Sequence, residues 1–310
     1  MKYAIISDIH GNIHAFKAVL ADALQQGVDK FLLLGDYAAS FPYGNDVVDL
    51  IKSLTPSITI RGNGEDYLIN LLGCDPNQLT NEQFKPIYWA YRSLSLENME
   101  FLSKLPQALT VTDGDTKIHL SHQMDLYFRT PQIDYFHSNN LRQMMKTTTL
   151  SHEEYLAKAR AALLACPEAL AEIEGMSKGV YLCGHNHLQF YMECDGKLFI
   201  NPGSCGEPLD RDTRAPYTIL TLNKTGWQVN ERRVVYDLDA VNEGLKSSGY
   251  AAYAPVWAKI MELELCTAKD YFMAFVLHVE ESAKKLGSTE FPANDEVWKF
   301  AVSTWDASRV

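Results

Sequence analysis

The stretch Tyr3-Ala4-Ile5-Ile6-Ser7-Asp8-Ile9-His10-Gly11-Asn12 decides how this chain folds. It opens with a short apolar run that is typical of a buried strand, and its Gly-Asn pair indicates a tight turn. Asp8 and His10 lie at the carboxyl end of that predicted strand. A carboxylate and an imidazole at this spacing can converge on one metal ion. The pair is a weak signal by itself, because Asp-x-His occurs by chance in many chains.

Strand and helix patterns alternate after this stretch. Apolar residues at helical spacing predict a helix over 13–26, and the unbroken apolar run 31–34 predicts a strand covered on both faces. A second helix is predicted near 45–53 and a third strand over 57–61. This order predicts right-handed βαβ units and an α/β fold. In such sheets, functional side chains gather at the carboxyl ends of the strands.

The later part of the chain carries further strand patterns. A hairpin is predicted around Asp113-Gly114-Asp115, and another strand over 179–183. Four short strands between residues 189 and 235 suggest a second sheet.

The pattern also predicts how the chain is divided. We predict a core domain over 1–236, in which a mostly helical insertion over 125–178 would cap the site. A helical extension over 237–310, without catalytic residues, would pack on the core or form the interface of a homodimer.

The composition restricts the possible partners. The chain has 310 residues, 46% of them hydrophobic, which is enough for a large core. Its formal net charge of −11 disfavours non-specific binding to nucleic acid or to an anionic membrane. The charge is compatible with a small phosphorylated substrate, such as a nucleotide, that bound metal would attract.

No segment predicts a membrane span or an export signal. The chain lacks an apolar run of about 18 residues, and its first residues enter a strand rather than a signal-peptide core. The six cysteines show no C-x-x-C pairing, and most lie in apolar segments, so we interpret them as reduced and buried. We therefore expect a cytoplasmic protein.

Residues of the types that bind metals stand at the ends of five predicted strands. They are Asp8 with His10, Asp36, Asn63, His122, and His185 with His187. Carboxylate, imidazole and amide ligands together suit two adjacent ions such as Mn, Fe, Zn or Ni. Such ions stand ~3.5–4 Å apart and activate a water for in-line attack. We expect Asp36 to bridge them.

The order D-x-H, G-D, G-N, S-H and G-H-x-H resembles the calcineurin-like metallophosphoesterase superfamily. The stretches Ser7–Asn12 and Asn201-Pro202-Gly203-Ser204, with Arg214 downstream, are similar to its small bacterial and archaeal phosphodiesterase branch. The resemblance spans about residues 1–236 outside the insertions. It implies a four-layer αββα sandwich of two mixed β-sheets flanked by helices.

The resemblance also implies the roles of single residues. One metal would be bound by Asp8, His10, Asp36 and His187, and the other by Asp36, Asn63, His122 and His185. Among these, Asp36, Asn63 and His122 are expected to take part directly in catalysis.

Position 64 departs from the pattern of many members, which have a histidine there that protonates the leaving group or steadies the phosphate. This chain has Gly64. General acid catalysis typically contributes ~10²–10⁴-fold, so the substitution puts efficient cleavage of poor leaving groups in doubt. The residues that could substitute are Glu65, Asp66, His14 and His137.

Three polar residues are candidates for substrate binding, each with a structural alternative. Asn12 either contacts phosphate or caps a turn, and Arg61 pairs either with an anion or with Glu65. Arg214 either binds phosphate or forms a salt bridge.

The aromatic residues after Asp36 offer a fourth candidate. Tyr37, together with Phe41 and Tyr43, could stack on a base or aryl group, and core packing is the alternative. Isolated histidines more often have structural roles, which we expect for His119, His152 and His278.

These observations predict a phosphoesterase in which a metal-bridging hydroxide cleaves phosphodiester or phosphoanhydride bonds. Dinucleoside polyphosphates such as diadenosine tetraphosphate are candidate substrates. The alternatives are a phosphomonoesterase or protein phosphatase of the same superfamily, and a metal-binding scaffold without activity. The chain retains every predicted metal ligand, which favours the enzyme.

Overall fold

Two five-stranded β-sheets form the centre of the fold. The computed structural model describes residues 1–124, 127, 151–224 and 226–310. The first sheet contains, in spatial order, β10 (Gly226–Val234), β9 (Ala215–Asn223), β1 (Lys2–Ile6), β2 (Lys30–Leu33) and β3 (Ser57–Thr59). The second contains β4 (Ala108–Asp113), β5 (Thr116–Ser121), β6 (Gly179–Leu182), β8 (Lys197–Pro202) and β7 (Gln189–Cys194).

Both sheets mix parallel and antiparallel pairs. β1 pairs in parallel with β2, and β2 with β3, as the βαβ pattern predicts. In the second sheet β5, β6 and β8 are parallel, whereas the edge strands β4 and β7 run antiparallel to their neighbours. The predicted pair of mixed sheets is therefore confirmed.

One detail of the strand prediction is wrong. Only β7 and β8 of the four late strands join the second sheet, whereas β9 pairs antiparallel with β1 and β10 with β9 in the first. β9 is buried along most of its length. A central position beside β1 covers both of its faces, but the local pattern of a strand does not encode its partner.

Helices cover the outer faces of both sheets. The helices beside the first sheet are α1 (Ile13–Gln25), α2 (Gly44–Ser53), α3 (Asn63–Asn70), α4 (Lys85–Ser93) and α5 (Leu96–Lys104). Beside the second sheet lie α6 (His152–Leu164) and α7 (Pro167–Gly175). Short 3₁₀ turns occupy Pro76–Gln78, Glu82–Phe84 and Ala307–Arg309.

Alternation along the strands builds the four layers. In β1, Tyr3 and Ile5 pack between the two sheets, while Ala4 and Ile6 pack against the helices of the first sheet. The helices of the insertion that the structure describes pack on the opposite side, against residues of the second sheet such as Phe199. This arrangement is the predicted αββα sandwich.

The C-terminal residues form five further helices within the described part of the chain. They are α8 (Leu238–Ser247), α9 (Tyr250–Tyr253), α10 (Pro255–Thr267), α11 (Tyr271–Lys285) and α12 (Asp295–Thr304). Trp257, Phe275 and Trp298 form the aromatic centre of their apolar cluster, which also includes Phe41 from the core. The domain boundary after residue 236 stays a prediction, and most of 125–150 lies outside the described residues.

The cysteines are free, as expected, but they are not all buried. Cys183 and Cys205 are buried, whereas Cys74, in the loop after α3, and Cys266, near the end of α10, are exposed. Among the helices that the structure describes, none combines the length and the apolar character needed to cross a membrane.

We predict that Leu198→Ala lowers the free energy of unfolding by about 2–5 kcal/mol, because truncating a buried leucine leaves a cavity. Leu198 lies between the sheets and is 1% exposed. Urea denaturation followed by circular dichroism measures the change. Leu96→Ala is the matched control, since Leu96 is 88% exposed, and a change within about 0.5 kcal/mol is expected. Equal losses in both variants would contradict a core between the sheets.

Candidate metal centre

Loops after β1, β2, β5 and β6 bring six metal-binding side chains together. The first group consists of Asp8, His10 and His187, and the second of Asp36, His122 and His185. Within each group, one ligand-type atom of every residue lies within 4.8 Å of the others.

The two groups are adjacent. His122 Nε2 lies 3.3 Å from Asp36 Oδ2 and 3.8 Å from Asp8 Oδ1, so this histidine of the second group approaches both carboxylates. His10 Nε2 of the first group lies 3.9 Å from an oxygen of Asp8 and 3.9 Å from an oxygen of Asp36. Shared contacts of this kind are expected where two ions are held side by side.

The backbone around the site is unusual. Five of the six residues have a positive φ, namely Asp8 (53°), His10 (53°), Asp36 (56°), His185 (69°) and His187 (61°). Residues other than glycine seldom adopt this left-handed region, and such outliers cluster at functional sites. Backbone hydrogen bonds from Asp8 N to Gly35 O and from His10 N to Asp36 O hold the loops after β1 and β2 together.

Two glycines permit this close packing. A Cβ at Gly184 would lie 2.0 Å from Ser7 Oγ, and a Cβ at Gly62 would lie 2.2 Å from Asp36 Oδ1. Glycine is therefore the residue that fits at both positions.

Hydrogen bonds orient the histidine rings. The Nδ1 atom of His122 lies 2.8 Å from Leu34 O, and that of His187 lies 2.8 Å from Glu207 O. Because a carbonyl oxygen only accepts, Nδ1 carries the hydrogen in both rings. In its neutral form, each ring then presents the lone pair of Nε2, as a metal ligand requires.

The charges and unpaired atoms of the site fit bound cations. Burial opposes ionisation of Asp8 and Asp36, but the neighbouring imidazoles outweigh it and hold the pKa of both carboxyls below the usual range. Although burial alone would lower it, Asp36 and Asp8 raise the pKa of His122 to about 10. Among the described residues, the buried atoms Asn63 Oδ1 and His122 Nε2 find no partner with hydrogen-bond geometry, although His122 Nε2 lies 3.3 Å from Asp36 Oδ2. These residues would satisfy metal ions of the predicted kind.

Asn63 is the seventh predicted ligand and belongs beside the second group. It begins α3, directly between Gly62 and Gly64. Gly64 N donates to Asp36 Oδ1 over 2.7 Å, which holds the start of this helix against the carboxylate. Ligation by Asn63, as by the other six residues, is a proposal developed below.

Glu65 fixes the loop that carries Asp36, a role that the sequence analysis missed. Its Oε2 accepts from Asp36 N and Gly62 N, and its Oε1 accepts from Tyr37 N, each over 2.8 Å. The side chain is fully buried. With both oxygens engaged, Glu65 does not suit the role of general acid that its position suggested.

Two of the predicted substrate contacts have structural roles in the fold. Asn12 is fully buried, caps α1 by accepting from Ala15 N, and donates to Gly206 O. Tyr37 is also fully buried, and its hydroxyl donates to Ile60 O while accepting from Gly35 N. Tertiary contacts that the local sequence does not reveal enclose both side chains, and contact with a substrate stays a prediction.

The two arginines form ion pairs. Arg61 Nε donates to Asp66 Oδ1 over 2.7 Å, so its partner is Asp66 rather than Glu65. Its Nη1 donates to Leu105 O, so this guanidinium also serves the fold. Arg214 Nε donates to Asp212 over 3.0 Å, which is the salt bridge of its two alternatives, and contact with phosphate stays a prediction.

The remaining candidates are largely structural. Phe41 is buried in the C-terminal apolar cluster, and Tyr43 is half-buried with its ring against His14. The isolated histidines bond as expected: His119 to Thr110 Oγ1, His152 to Gln189 O and His278 to Thr304 Oγ1.

Comparison with known proteins agrees with this geometry. Residues 1–225 match the model of the calcineurin-like phosphoesterase superfamily domain, which is more than half of the chain. The chain belongs to the calcineurin-like phosphoesterase superfamily. It is therefore a phosphoesterase hydrolase of a metal-dependent family, and the described residues contain two groups suited to metal ions.

Similar proteins come from a bacterium and from archaea. The uncharacterized protein MJ0912 of Methanocaldococcus jannaschii is 27% identical over 256 residues, which cover 77% of this chain and 90% of that protein. A metallophosphoesterase from Sphaerobacter thermophilus has a TM-score of 0.61 at 24% identity, covering 86% of this chain and 99% of that one. The hypothetical protein PH1004 from Pyrococcus horikoshii OT3 has a TM-score of 0.62 at 18% identity, covering 84% and 97%. The predicted superfamily and fold are thereby confirmed.

We predict that Glu65→Gln lowers the free energy of unfolding by about 1–3 kcal/mol. The –NH₂ group of glutamine replaces one accepting oxygen, so at least one buried backbone N–H loses its acceptor. Urea denaturation measures this loss. Elemental analysis should show less metal retained, since the loop of Asp36 loosens. Glu100→Gln is the control, because Glu100 is exposed and its carboxylate pairs, within the part of the chain that the structure describes, with Lys104 alone. Unchanged stability and metal content in Glu65→Gln would show that the three hydrogen bonds contribute neither to folding stability nor to metal binding.

Proposed function

We propose that this phosphoesterase uses two metal ions to hydrolyse phosphodiester or phosphoanhydride bonds of a small substrate, such as a nucleotide. The observation that carries the proposal is the adjacency of the two groups, in which His122 approaches both Asp36 and Asp8. Mn, Fe, Zn and Ni all suit such a mixture of imidazole and carboxylate donors.

Each residue of the centre has a role in the proposal. Asp8, His10 and His187 would hold one ion, and Asn63, His122 and His185 would hold the other, with Asp36 shared by both. When bound, the ions would supply a nucleophile from water at neutral pH and would stabilise charge on the phosphoryl oxygens. The buried carboxylates balance the ionic charge, and the oriented rings remain neutral donors.

The residue at position 64 restricts the kinds of leaving group that the site can expel. Gly64 has no side chain to donate a proton, Glu65 is fully engaged, and Asp66 is paired with Arg61. His14 is left among the described residues, and His137 lies outside them. A phosphate or aryl oxide can depart without a proton, whereas an alkoxide cannot do so readily. Phosphoanhydrides, including dinucleoside polyphosphates, and aryl diesters are therefore the proposed substrate classes.

We predict that Asp36→Asn and His185→Ala abolish Mn²⁺-dependent hydrolysis of bis-p-nitrophenyl phosphate, mainly through lost metal. Release of nitrophenolate measures turnover, and elemental analysis measures metal content. His278→Ala is the control, since this histidine lies in α11 and bonds only to Thr304 within the described residues. If wild type binds two ions but shows no turnover above Asp36→Asn, the alternative of a non-catalytic scaffold holds. If His185→Ala keeps both ions and full turnover, the ligand assignment is wrong.

We predict a steep dependence of the wild-type rate on the pKa of the leaving group across a series of aryl and alkyl phosphoesters. The physical reason is the absence of a general acid, which typically contributes ~10²–10⁴-fold. Steady-state kinetics at saturating Mn²⁺ measure the slope. A Gly64→His variant is a poor comparison, because even a Cβ at this position would lie 2.9 Å from Asp36 Oδ1 and displace the carboxylate. A flat wild-type dependence would mean that another acid acts, and His14→Ala would be the first variant to examine.

A further inference from the structure

Glu207 contacts both histidines of the first metal group. Its backbone carbonyl accepts a hydrogen bond from His187 Nδ1, and its Oε2 lies 3.7 Å from His10 Nδ1. The Nε2 atoms of the two rings face each other at 3.1 Å, so Nδ1 is the outward nitrogen of each ring. Glu207 therefore contacts both rings on the side that faces away from the other ring.

The backbone that carries Glu207 is held against the loop after β1. Ser204 Oγ accepts from Glu207 N over 2.9 Å and donates to Asp8 O over 2.7 Å. Gly206 N also donates to Asp8 O, and a Cβ at Gly206 would lie 1.9 Å from Ile9 O. The position of Glu207 is thus fixed relative to the first group.

A second buried carboxyl group, from the C-terminal extension, meets Glu207. Glu264 of α10 is 2% exposed, accepts from Phe272 N over 2.7 Å, and lies in contact with the Glu207 side chain. Two carboxyl groups in such contact need a proton between them. Burial and the charges of Glu207 and Asp270 raise the pKa of Glu264 well above its ordinary value, which favours the protonated form of Glu264.

We propose that Glu207 is a positioning residue of the first metal group and that Glu264 holds the Glu207 side chain in place. A histidine that ligates through Nε2 carries its hydrogen on Nδ1, and a carboxylate facing that hydrogen fixes the tautomer and the ring orientation. The inference rests on the proposed function, since it takes His10 and His187 as ligands. In this proposal the C-terminal extension supports the metal centre through Glu264, although it supplies neither a metal ligand nor a catalytic residue.

The test is a calorimetric titration of the metal-free, full-length protein with Mn²⁺. Wild type should show two sites. Glu207→Ala should weaken one of them ~10–100-fold, the usual effect of removing an outer partner of a metal ligand, and leave the other unchanged. Because alanine keeps the carbonyl bond to His187, this loss reports on the side chain. Glu207→Gln keeps an oxygen that can face His10 Nδ1 and should retain most of the affinity.

Variants of Glu264 separate its proposed role from simple packing. Glu264→Gln resembles the protonated acid, since its amide can donate to Glu207 and its oxygen can accept from Phe272 N. It should therefore bind Mn²⁺ as wild type does, whereas Glu264→Leu should weaken the same site as Glu207→Ala. Glu262→Leu in the same helix is the matched control, because Glu262 pairs with Lys259 at the surface.

A His187→Ala background assigns the affected site. This change should remove the first site, after which Glu207→Ala should cause no further loss in Mn²⁺ binding. The proposal is overturned if folded Glu207→Ala binds both ions as wild type does, or if Glu264→Gln is as damaging as Glu264→Leu. Wild type that binds two ions and shows these differences, yet hydrolyses no phosphoester, would refute the proposed function and leave the positioning role standing.

Discussion

Asp8 and Asp36 place two carboxylates in one buried space, at 0% and 4% exposure, and the rest of the site depends on balancing their charge. Buried charges in folded proteins are paired or coordinate metals, because removing an isolated ion from water is very costly. The imidazoles of His10, His122 and His187 surround the two carboxylates and hold the pKa of both below the usual range. Bound cations would complete the same balance, so electrostatics alone favours a metal centre here.

Holding these groups so close strains the backbone, and the fold compensates for it. Five of the six residues in the two groups occupy the left-handed region, which costs of order 1–3 kcal/mol for each such residue. The hydrogen bonds between the loops after β1 and β2 offset part of this cost, as do the three that Glu65 accepts. The rigid sandwich therefore serves as the frame that keeps an unfavourable loop geometry in place.

The support of the site extends beyond the region that the family model matches. The family match ends at residue 225, yet Glu264 in α10 contacts Glu207, which stands behind His10 and His187. In the same way, Trp257 of the extension donates to Glu82 O of the core. The C-terminal helices are thus connected to the core both through an apolar cluster and through a polar contact beside the metal-binding groups.

The sequence by itself determined the βαβ order and the residue types at the strand ends, because hydrophobic periodicity and turn residues are local properties. The two-sheet sandwich was implied by the resemblance of its motifs to a known superfamily. Only the tertiary structure decided that β9 joins the first sheet and that Asn12 and Tyr37 are enclosed. It likewise revealed the roles of Glu65 and Glu207, since nothing in the local pattern distinguishes a buried glutamate from an exposed one. The partners of these residues lie far away along the chain, and only folding brings them into contact.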